Sequence, residues 1–314
     1  FDTAAAGIAA LSGFGLVGGP IPLRILIVFY ALFIVPGAAL RRRFFGAPAG
    51  AAEAAGESFA LGLAFVCLMV CAGFIPGVSY GTISLAALAA TLALLWFPGN
   101  GYAARERGAR MPVSRRIASA LIVAIGFAAC FIVFYDRGEL AAVTDAPDHV
   151  SFVRRSVESG ILLPRDSFYR EGDGASLDPR KGLWHPALSL WTRDADAGAD
   201  RVWRMVPACA AFFALCAFYL LAASLVGPGP VALFSVALYL VFGAGQGVAW
   251  FAKLGFSRNM ALVLLWVDVH YIVRYCREGR RADIAAAAAA AAAGAAFHAA
   301  FALQAFAVLV GLMC

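Results

Sequence analysis

Long apolar runs recur along the whole chain, and few folds accept them. A run of roughly 20 apolar residues can cross a bilayer as a helix, whose backbone groups are satisfied internally. The runs lie at 3–19, 23–40, 58–75, 80–97, 117–135, 205–226, 230–250, 258–275 and 284–313. The first is short and rich in glycine. The sequence therefore predicts an all-α polytopic membrane protein, a bundle of about eight to nine transmembrane helices.

The composition agrees with this class. The chain is 62% hydrophobic and 14% charged, whereas soluble domains are about half apolar and about a quarter charged. The net charge of +6 would suggest nucleic acid as a partner of a soluble protein. Here most cations fall in short loops between apolar runs, where they determine topology. We therefore expect the lipid bilayer as a partner and no nucleic acid.

The arginines also predict an orientation. They cluster at 41–43, 105–116 and 274–281, each time after an apolar run. Such clusters remain in the cytoplasm. With the N-terminus also cytoplasmic, residues 136–204 lie on the extracytoplasmic side of the plasma (inner) membrane.

Three regions follow from this topology: N-terminal membrane helices 1–135, an extracytoplasmic loop 136–204, and further membrane helices 205–314. The loop holds twelve of the 19 acidic and ten of the 25 basic residues. Ordered loops of this length are commonly functional. The chain begins without methionine and ends inside an apolar run, so an N-terminal fragment of a longer protein is one interpretation.

The loop contains one predicted amphipathic helix, 145–160, at the outer membrane surface. Apolar residues recur there at helical spacing, at Val150, Val153, Val157 and Ile161. Thr144 or Asp145 can cap its start, Pro147 suits a first turn, and Gly160 suits the end. A bundle with one large outer loop that carries short interfacial helices is the expected architecture.

Asp145, Asp148 and His149 are the first candidates for chemistry. A carboxylate at a membrane boundary can remove a proton from an acceptor hydroxyl or bind a divalent metal. Asp145 and His149 stand four residues apart, so one helical face presents both. A plainer interpretation remains open, in which Asp145 only caps the helix and His149 is a solvated surface residue.

Other polar residues each allow two interpretations. In WHPALSLW, 184–191, the tryptophans suit an interfacial anchor, while His185 could line a cleft. Asp268 and His270 lie inside an apolar run, where ionisable groups are functional or reach out to the interface. The outer cations can grip phosphate, although a solvated face suits most of them; they include Arg154, Arg155, Arg165, Arg170, Arg180, Lys181, Lys253 and Arg258.

The segment TDAPDHVSFVRRSVESG resembles the first outer loop of GT-C-type glycosyltransferases. These membrane enzymes include the catalytic subunit of oligosaccharyltransferase and bacterial mannosyltransferases. In that family an aspartate is followed four residues later by a histidine and then by a helix ending near glycine. Asp145, His149, Arg154 and Gly160 match this spacing. GLWHPALSLW and LGFSRNMALVLLW are similar to later segments of the family, and PLRILIVFYALFIVPGAALRRRFFG to the leading helices of related bacterial proteins.

The resemblance implies an enzyme that moves a sugar from a polyprenyl-phosphate donor to an acceptor at the outer face of the membrane. Asp145 would be the general base or the ligand of a divalent metal, Mg²⁺ or Mn²⁺, with His149 and Asp148 beside it. The candidate substrate-binding residues are Arg154, Arg155, His185, Lys253 and Arg258.

The chain also departs from the family pattern. The family often carries a second acidic motif in a later outer loop, whereas 251–257 offers Lys253 and no acid. The alternative is a non-catalytic or transporter-like membrane protein that handles lipids or cell-envelope components.

Overall fold

The structure is a computed structural model that describes residues 19–45, 50–75, 78–96, 113–135, 145–163, 181–242, 248–304 and 307. All regular secondary structure in these ranges is helical, as the sequence predicts. The principal helices are α1 Ile21–Phe29, α2 Val35–Phe44, α3 Ala51–Cys71, α4 Tyr80–Trp96, α5 Val113–Phe134, α6 Ala146–Ser159, α7 Trp184–Asp194, α8 Ala199–Val226, α9 Pro230–Phe242, α10 Val248–Phe251, α11 Ser257–Glu278 and α12 Arg281–Phe297.

Three helical stretches are long and apolar enough to cross a membrane. They are Ile21–Phe44, Ala51–Phe74 and Ala199–Val226. Shorter apolar helices lie at Tyr80–Trp96, Val123–Phe134 and Pro230–Phe242. The described residues thus support an all-helical protein with three candidate spans, and the predicted total of eight to nine stays a prediction. The first predicted run, 3–19, falls outside the described residues.

A single π-helical turn, Tyr30–Ile34, joins α1 and α2 into one rod. Pro36 follows this turn. Because proline lacks an N–H and its ring clashes with the carbonyl one turn earlier, a regular α-helix would be disturbed there. The wider turn accommodates the proline without breaking the rod.

The rod packs against α3 with the two backbones almost touching. A Cβ atom on Gly37 would lie 1.7 Å from the carbonyl oxygen of Ser58. On the facing helix, a Cβ on Gly62 would lie 1.7 Å from the carbonyl oxygen of Phe33. These two glycines therefore set the distance between the helices.

The two ends of the bundle differ in chemistry. At one end the guanidinium of Arg274, near the end of α11, lies 5.5 Å from the ring centroid of Phe45, which follows Arg41–Arg43. At the other end Phe256, just before α11, lies 5.2 Å from Trp203 in the first turns of α8. The arginines at 41–43 and 274–281 therefore share one end, and the start of α8 lies at the opposite end.

The tryptophans of α7 are core residues. Both are fully buried; Nε1 of Trp184 donates to the Gly255 carbonyl at 2.7 Å, and Nε1 of Trp191 donates to the Ile25 carbonyl at 2.8 Å. The interpretation of 184–191 as an interfacial anchor is therefore wrong. The indole N–H groups instead join α7 to two other parts of the fold.

The turn before α7 is held against the end of α12. Gly182 has a φ of 52°, and a Cβ there would lie 2.1 Å from the Phe297 carbonyl oxygen. The Leu183 amide donates to the Ala296 carbonyl at 2.8 Å. Glycine is the residue that allows this turn to approach α12 so closely.

Candidate functional site

Helix α6 presents the first candidate residues. It runs from Ala146 to Ser159, within one residue of the predicted bounds at each end. Gly160 ends it with a φ of 71°, a left-handed conformation that glycine favours. Its buried face comprises Ala146, His149, Val150, Phe152, Val153 and Ser156. The predicted amphipathic helix is present, and its place at a membrane surface stays a prediction.

Asp145 stands just before α6, where a side chain can cap a helix, but its carboxylate makes no capping hydrogen bond. Instead its Oδ2 lies 3.1 Å from Nε2 of His149, one turn along. The Asp145 side chain is 70% exposed and that of His149 only 7%. Asp145 as a mere cap and His149 as a solvated residue are therefore both wrong interpretations.

A second histidine continues this contact into the core. Nδ1 of His149 lies 2.8 Å from Nε2 of His185. Nδ1 of His185 lies 2.8 Å from the carbonyl oxygen of Lys181, and the His185 side chain is fully buried. We call this row the histidine chain: Asp145, His149, His185 and the Lys181 carbonyl.

The protons of the histidine chain can be counted. A carbonyl oxygen only accepts, so Nδ1 of His185 donates to it, and a neutral His185 then accepts at Nε2. A neutral His149 carries one N–H, which can donate to that atom from Nδ1 or to the Asp145 carboxylate from Nε2, but not to both. Two neutral imidazoles carry two N–H protons, whereas the histidine chain has three contacts that each need one. One added proton would make every contact a hydrogen bond.

Burial favours this proton-poor state. It lowers the pKa of His149 below the ordinary value of 6.5, and the charge of Lys181 adds to that effect. The carboxylates of Asp145 and Asp148 act in the opposite direction and do not overcome it. His149 is therefore neutral at neutral pH.

Asp148 is engaged elsewhere. Its Oδ1 accepts a hydrogen bond of 2.9 Å from Nζ of Lys181, which is 1% exposed. The ammonium also lies 5.4 Å from the ring centroid of Phe152. Lys181 is buried, so the expectation of a solvated face is wrong for this residue. Its ion pair with Asp148 holds the turn in which the Lys181 carbonyl oxygen accepts a hydrogen bond from His185.

Aromatic rings enclose the His149 imidazole. Trp203 of α8 lies nearly parallel to it at 6.0 Å, and Phe256 meets it edge-on at 5.1 Å. Gly255 allows this approach, because a Cβ there would lie 2.9 Å from the Trp203 ring. The site thus joins α6, α7, α8 and the turn before α11.

Four cations are predicted to bind the donor phosphate, two on α6 and two around the turn before α11; Arg165, Arg170 and Arg180 lie outside the described residues. Arg154 and Arg155 follow His149 on α6, with Arg154 exposed and Arg155 half-buried. Lys253 and Arg258 flank the segment that brings Phe256 to the His149 ring. The structure therefore brings Asp145, Asp148, His149 and His185 together and places Lys253 and Arg258 in the neighbouring segment.

A second cluster of charged groups lies at the arginine-rich end. Ligand atoms of Glu53, Glu57 and His270 lie within 4.8 Å of one another and could hold a metal ion. Nη1 of Arg274 is 3.2 Å from Glu53 and 2.7 Å from Glu57, and its Nη2 is 2.7 Å from Asp283. A metal ion would have to displace this guanidinium. Asp145, the predicted metal ligand, is not part of the group.

The sequence allows two interpretations of the ionisable groups on α11: a functional role inside the bundle, or a side chain that reaches the membrane interface. Asp268 is 1% exposed and His270 8%. Ser224 donates to the Leu220 carbonyl at 2.8 Å, so its oxygen accepts from Nδ1 of His270 at 2.6 Å. Both side chains point into the bundle, and the alternative of reaching the interface is wrong.

Several residues of the two clusters had no signal in the sequence. Lys181 looked like one cation among many in a polar loop. Trp203 and Arg274 occupy positions where aromatic belts and topology signals are usual. The i, i+4 spacing revealed the contact of Asp145 with His149, whereas the meeting of His149 with His185 depends on tertiary packing.

Comparisons of the chain with known protein families, with curated proteins and with solved structures found no match.

Proposed function

We propose that this protein is a membrane glycosyltransferase that moves a sugar from a polyprenyl-phosphate donor to an acceptor at the outer face of the membrane. The observation that supports it best is the histidine chain. An exposed carboxylate, Asp145, lies 3.1 Å from Nε2 of a buried imidazole, at the exposed end of the histidine chain. With both imidazoles neutral, the three contacts of that chain share two protons.

Such a carboxylate is suited to act as a general base. As the acceptor hydroxyl attacks the sugar carbon, its proton moves to Asp145, and the protonated carboxyl can donate to Nε2 of His149. The new oxygen–carbon bond forms while the bond from carbon to the phosphate oxygen breaks, and the phosphate leaves with the electron pair. The proton taken up completes all three hydrogen bonds, so the site stabilises the product of proton transfer. A single displacement inverts the sugar carbon.

The supporting side chains have separate roles in this proposal. His149 and His185 hold the carboxylate in position, and Asp148 acts indirectly through Lys181. Arg154, Arg155, Lys253 and Arg258 would meet the donor phosphate, because arginine and lysine stabilise a developing phosphate charge. His185 is fully buried, so its contribution to substrate binding would pass through His149.

A divalent metal fits Asp145 only with help from the substrate. One carboxylate oxygen already contacts His149, which leaves the other oxygen at the exposed edge. Mg²⁺ is commonly bound by one or two carboxylates together with substrate phosphates. If Mg²⁺ or Mn²⁺ takes part, it would neutralise the leaving phosphate, and Asp145 and the donor would hold it.

The orientation also belongs to the proposal. With the N-terminus and the arginine-rich end in the cytoplasm, the Asp145 end of the bundle lies on the extracytoplasmic face of the plasma membrane. There the donor sugar and the acceptor can meet Asp145 without crossing the bilayer.

A transporter-like function is the second candidate, and a different observation favours it. The side chains of Glu57, His270, Arg274 and Asp283 form a buried network among α3, α11 and α12. Intramembrane ionisable groups often mark ion or substrate pathways. Transport would make Glu57 the most sensitive residue, whereas transfer would make Asp145 the most sensitive.

The test compares Asp145→Asn with wild-type protein in membranes supplied with a polyprenyl-phosphate donor carrying a labelled sugar. Asparagine keeps the size but cannot accept the proton, so we expect transfer to fall roughly 10²- to 10⁴-fold. Glu158→Gln is the matched control, an exposed acid on the same helix, and should leave transfer unchanged. Full transfer by Asp145→Asn would refute Asp145 as the base. Wild-type protein inactive with every donor, together with a Glu57-dependent flux, would favour transport.

A further inference from the structure

A cavity of about 320 Å³ lies where α1, the end of α5 and the start of α8 meet. Its apolar lining includes Ile21, Ile25 and Met205. Its charged lining comes from three residues in the first two turns of α8, namely Asp200, Arg201 and Arg204. The cavity therefore combines an apolar surface with a cationic one.

The position of the cavity relates these two surfaces to a bilayer. Two of the three candidate spans, Ile21–Phe44 and Ala199–Val226, begin beside it. The start of a span lies at the boundary between hydrocarbon and headgroups. The arginines are thus at headgroup level, and Ile25 and Met205 continue from there into the spans.

We propose that this cavity binds a lipid whose headgroup is a phosphate ester. The phosphate would lie on Arg201 and Arg204, and the first part of the tail would lie on Ile21, Ile25 and Met205. The planar guanidinium matches phosphate oxygens in pairs. A volume near 320 Å³ accommodates a headgroup and the start of a tail, whose remainder stays in the bilayer.

The cavity and the histidine chain share the first turns of α8. Trp203 lies against His149, and the next residue, Arg204, lines the cavity. A lipid phosphate held there and the histidine chain would both lie beside the first turns of α8. This lipid is separate from the donor, whose phosphate the proposed function assigns to Arg154, Arg155, Lys253 and Arg258, so lipid-phosphate binding here does not rest on that function.

Native mass spectrometry of the full chain in detergent tests the site. A polyprenyl monophosphate is titrated against wild-type protein, Arg201→Gln and Arg204→Gln. Each substitution removes one charge-assisted contact, and we expect roughly tenfold weaker binding for each. Arg277→Gln is the matched control, an exposed arginine at the opposite end of α11, and should bind like wild type.

Further measurements distinguish a lipid headgroup from free phosphate and test whether the variants fold. Arg204→Lys keeps the charge and should retain part of the affinity, and all variants should unfold at the wild-type temperature. Unchanged lipid binding in both glutamine variants overturns the proposal. Inorganic phosphate that competes as well as the lipid overturns the role of the tail. If the glutamine variants lose affinity for phosphatidylcholine as much as for the polyprenyl monophosphate, the site is not selective for an anionic headgroup. Lipid-phosphate binding that follows the expected pattern without any sugar transfer would leave this site intact and contradict the proposed function.

Discussion

In the proposed function, His185 determines which nitrogen of His149 carries its proton. It receives the Nδ1–H of His149 because its own Nδ1 is committed to the Lys181 carbonyl. Without His185, Nδ1 of His149 would have no acceptor in this position, while the Asp145 carboxylate would still accept at Nε2. The buried histidine thus acts on Asp145 through the tautomer of its neighbour.

We predict that His185→Leu moves the proton of His149 from Nδ1 to Nε2. The chain has only four histidines, so ¹⁵N NMR of histidine-labelled protein can resolve and assign each tautomer. His298→Gln is the control, since His298 follows α12 and is outside the histidine chain. An Nε2–H tautomer of His149 already present in wild-type protein would contradict this role of His185. In a transfer assay the variant should lose activity and retain donor affinity.

At the scale of the helical elements, close glycine contacts decide how the candidate spans pack. We predict that Gly62→Ala destabilises the protein by about 1–3 kcal/mol, because its methyl group must separate α3 from the rod of α1 and α2. Gly81→Ala is the matched control within a helix, where a Cβ meets its nearest neighbour at an ordinary 3.6 Å. Thermal unfolding in detergent measures both. Equal stability of the two variants would show that the rod and α3 lie farther apart.

Local patterns in the sequence predict single elements better than the contacts between them. The bounds of α6 follow from Pro147, Gly160 and the spacing of valines, because caps and periodicity are local. The same spacing pairs Asp145 with His149. The contact of His149 with His185 joins residues 36 positions apart, and no local pattern determines which histidine an imidazole will meet.

The burial of charge was harder still to predict. Lys181 lies in a loop rich in cations, and composition alone favours solvent for each of them. Its burial depends on Asp148 and on the ring of Phe152, which only the tertiary fold brings near. Likewise, the sequence predicts the arginines at 274–281 as topology signals, yet Arg274 also pairs with carboxylates on two other helices.

Across the whole molecule, Arg274 connects α3, α11 and α12 at one end of the bundle. Glu57 is 1% exposed and Asp283 fully buried, and this guanidinium makes the shortest ion pair with each of them, 2.7 Å in both cases. We predict that Arg274→Gln costs about 3–5 kcal/mol of stability, the usual result of leaving a buried charge unpaired. Adding Glu57→Gln and Asp283→Asn should recover much of the loss. Arg277 is exposed one turn further along, so Arg277→Gln should change the stability little. If it lowered the stability as much as Arg274→Gln, the buried ion pairs would not be the cause.

The two ends of α11 allow a test of how the molecule sits in the membrane. Its start lies beside the histidine chain through Phe256, and its 22 residues extend about 33 Å, close to the thickness of a hydrocarbon core. We predict that the start of α11, beside the histidine chain, is extracytoplasmic and that Cys276, near its other end, is cytoplasmic.

The test uses single thiols in a background without native cysteines. One is introduced as Glu158→Cys on α6 and the other is the retained Cys276, and both positions are exposed. An impermeant maleimide should label the first in intact cells and the second only after permeabilisation. The reverse pattern would place Asp145 in the cytoplasm, where the proposed transfer does not occur, and labelling of both in intact cells would mean that α11 does not cross the bilayer.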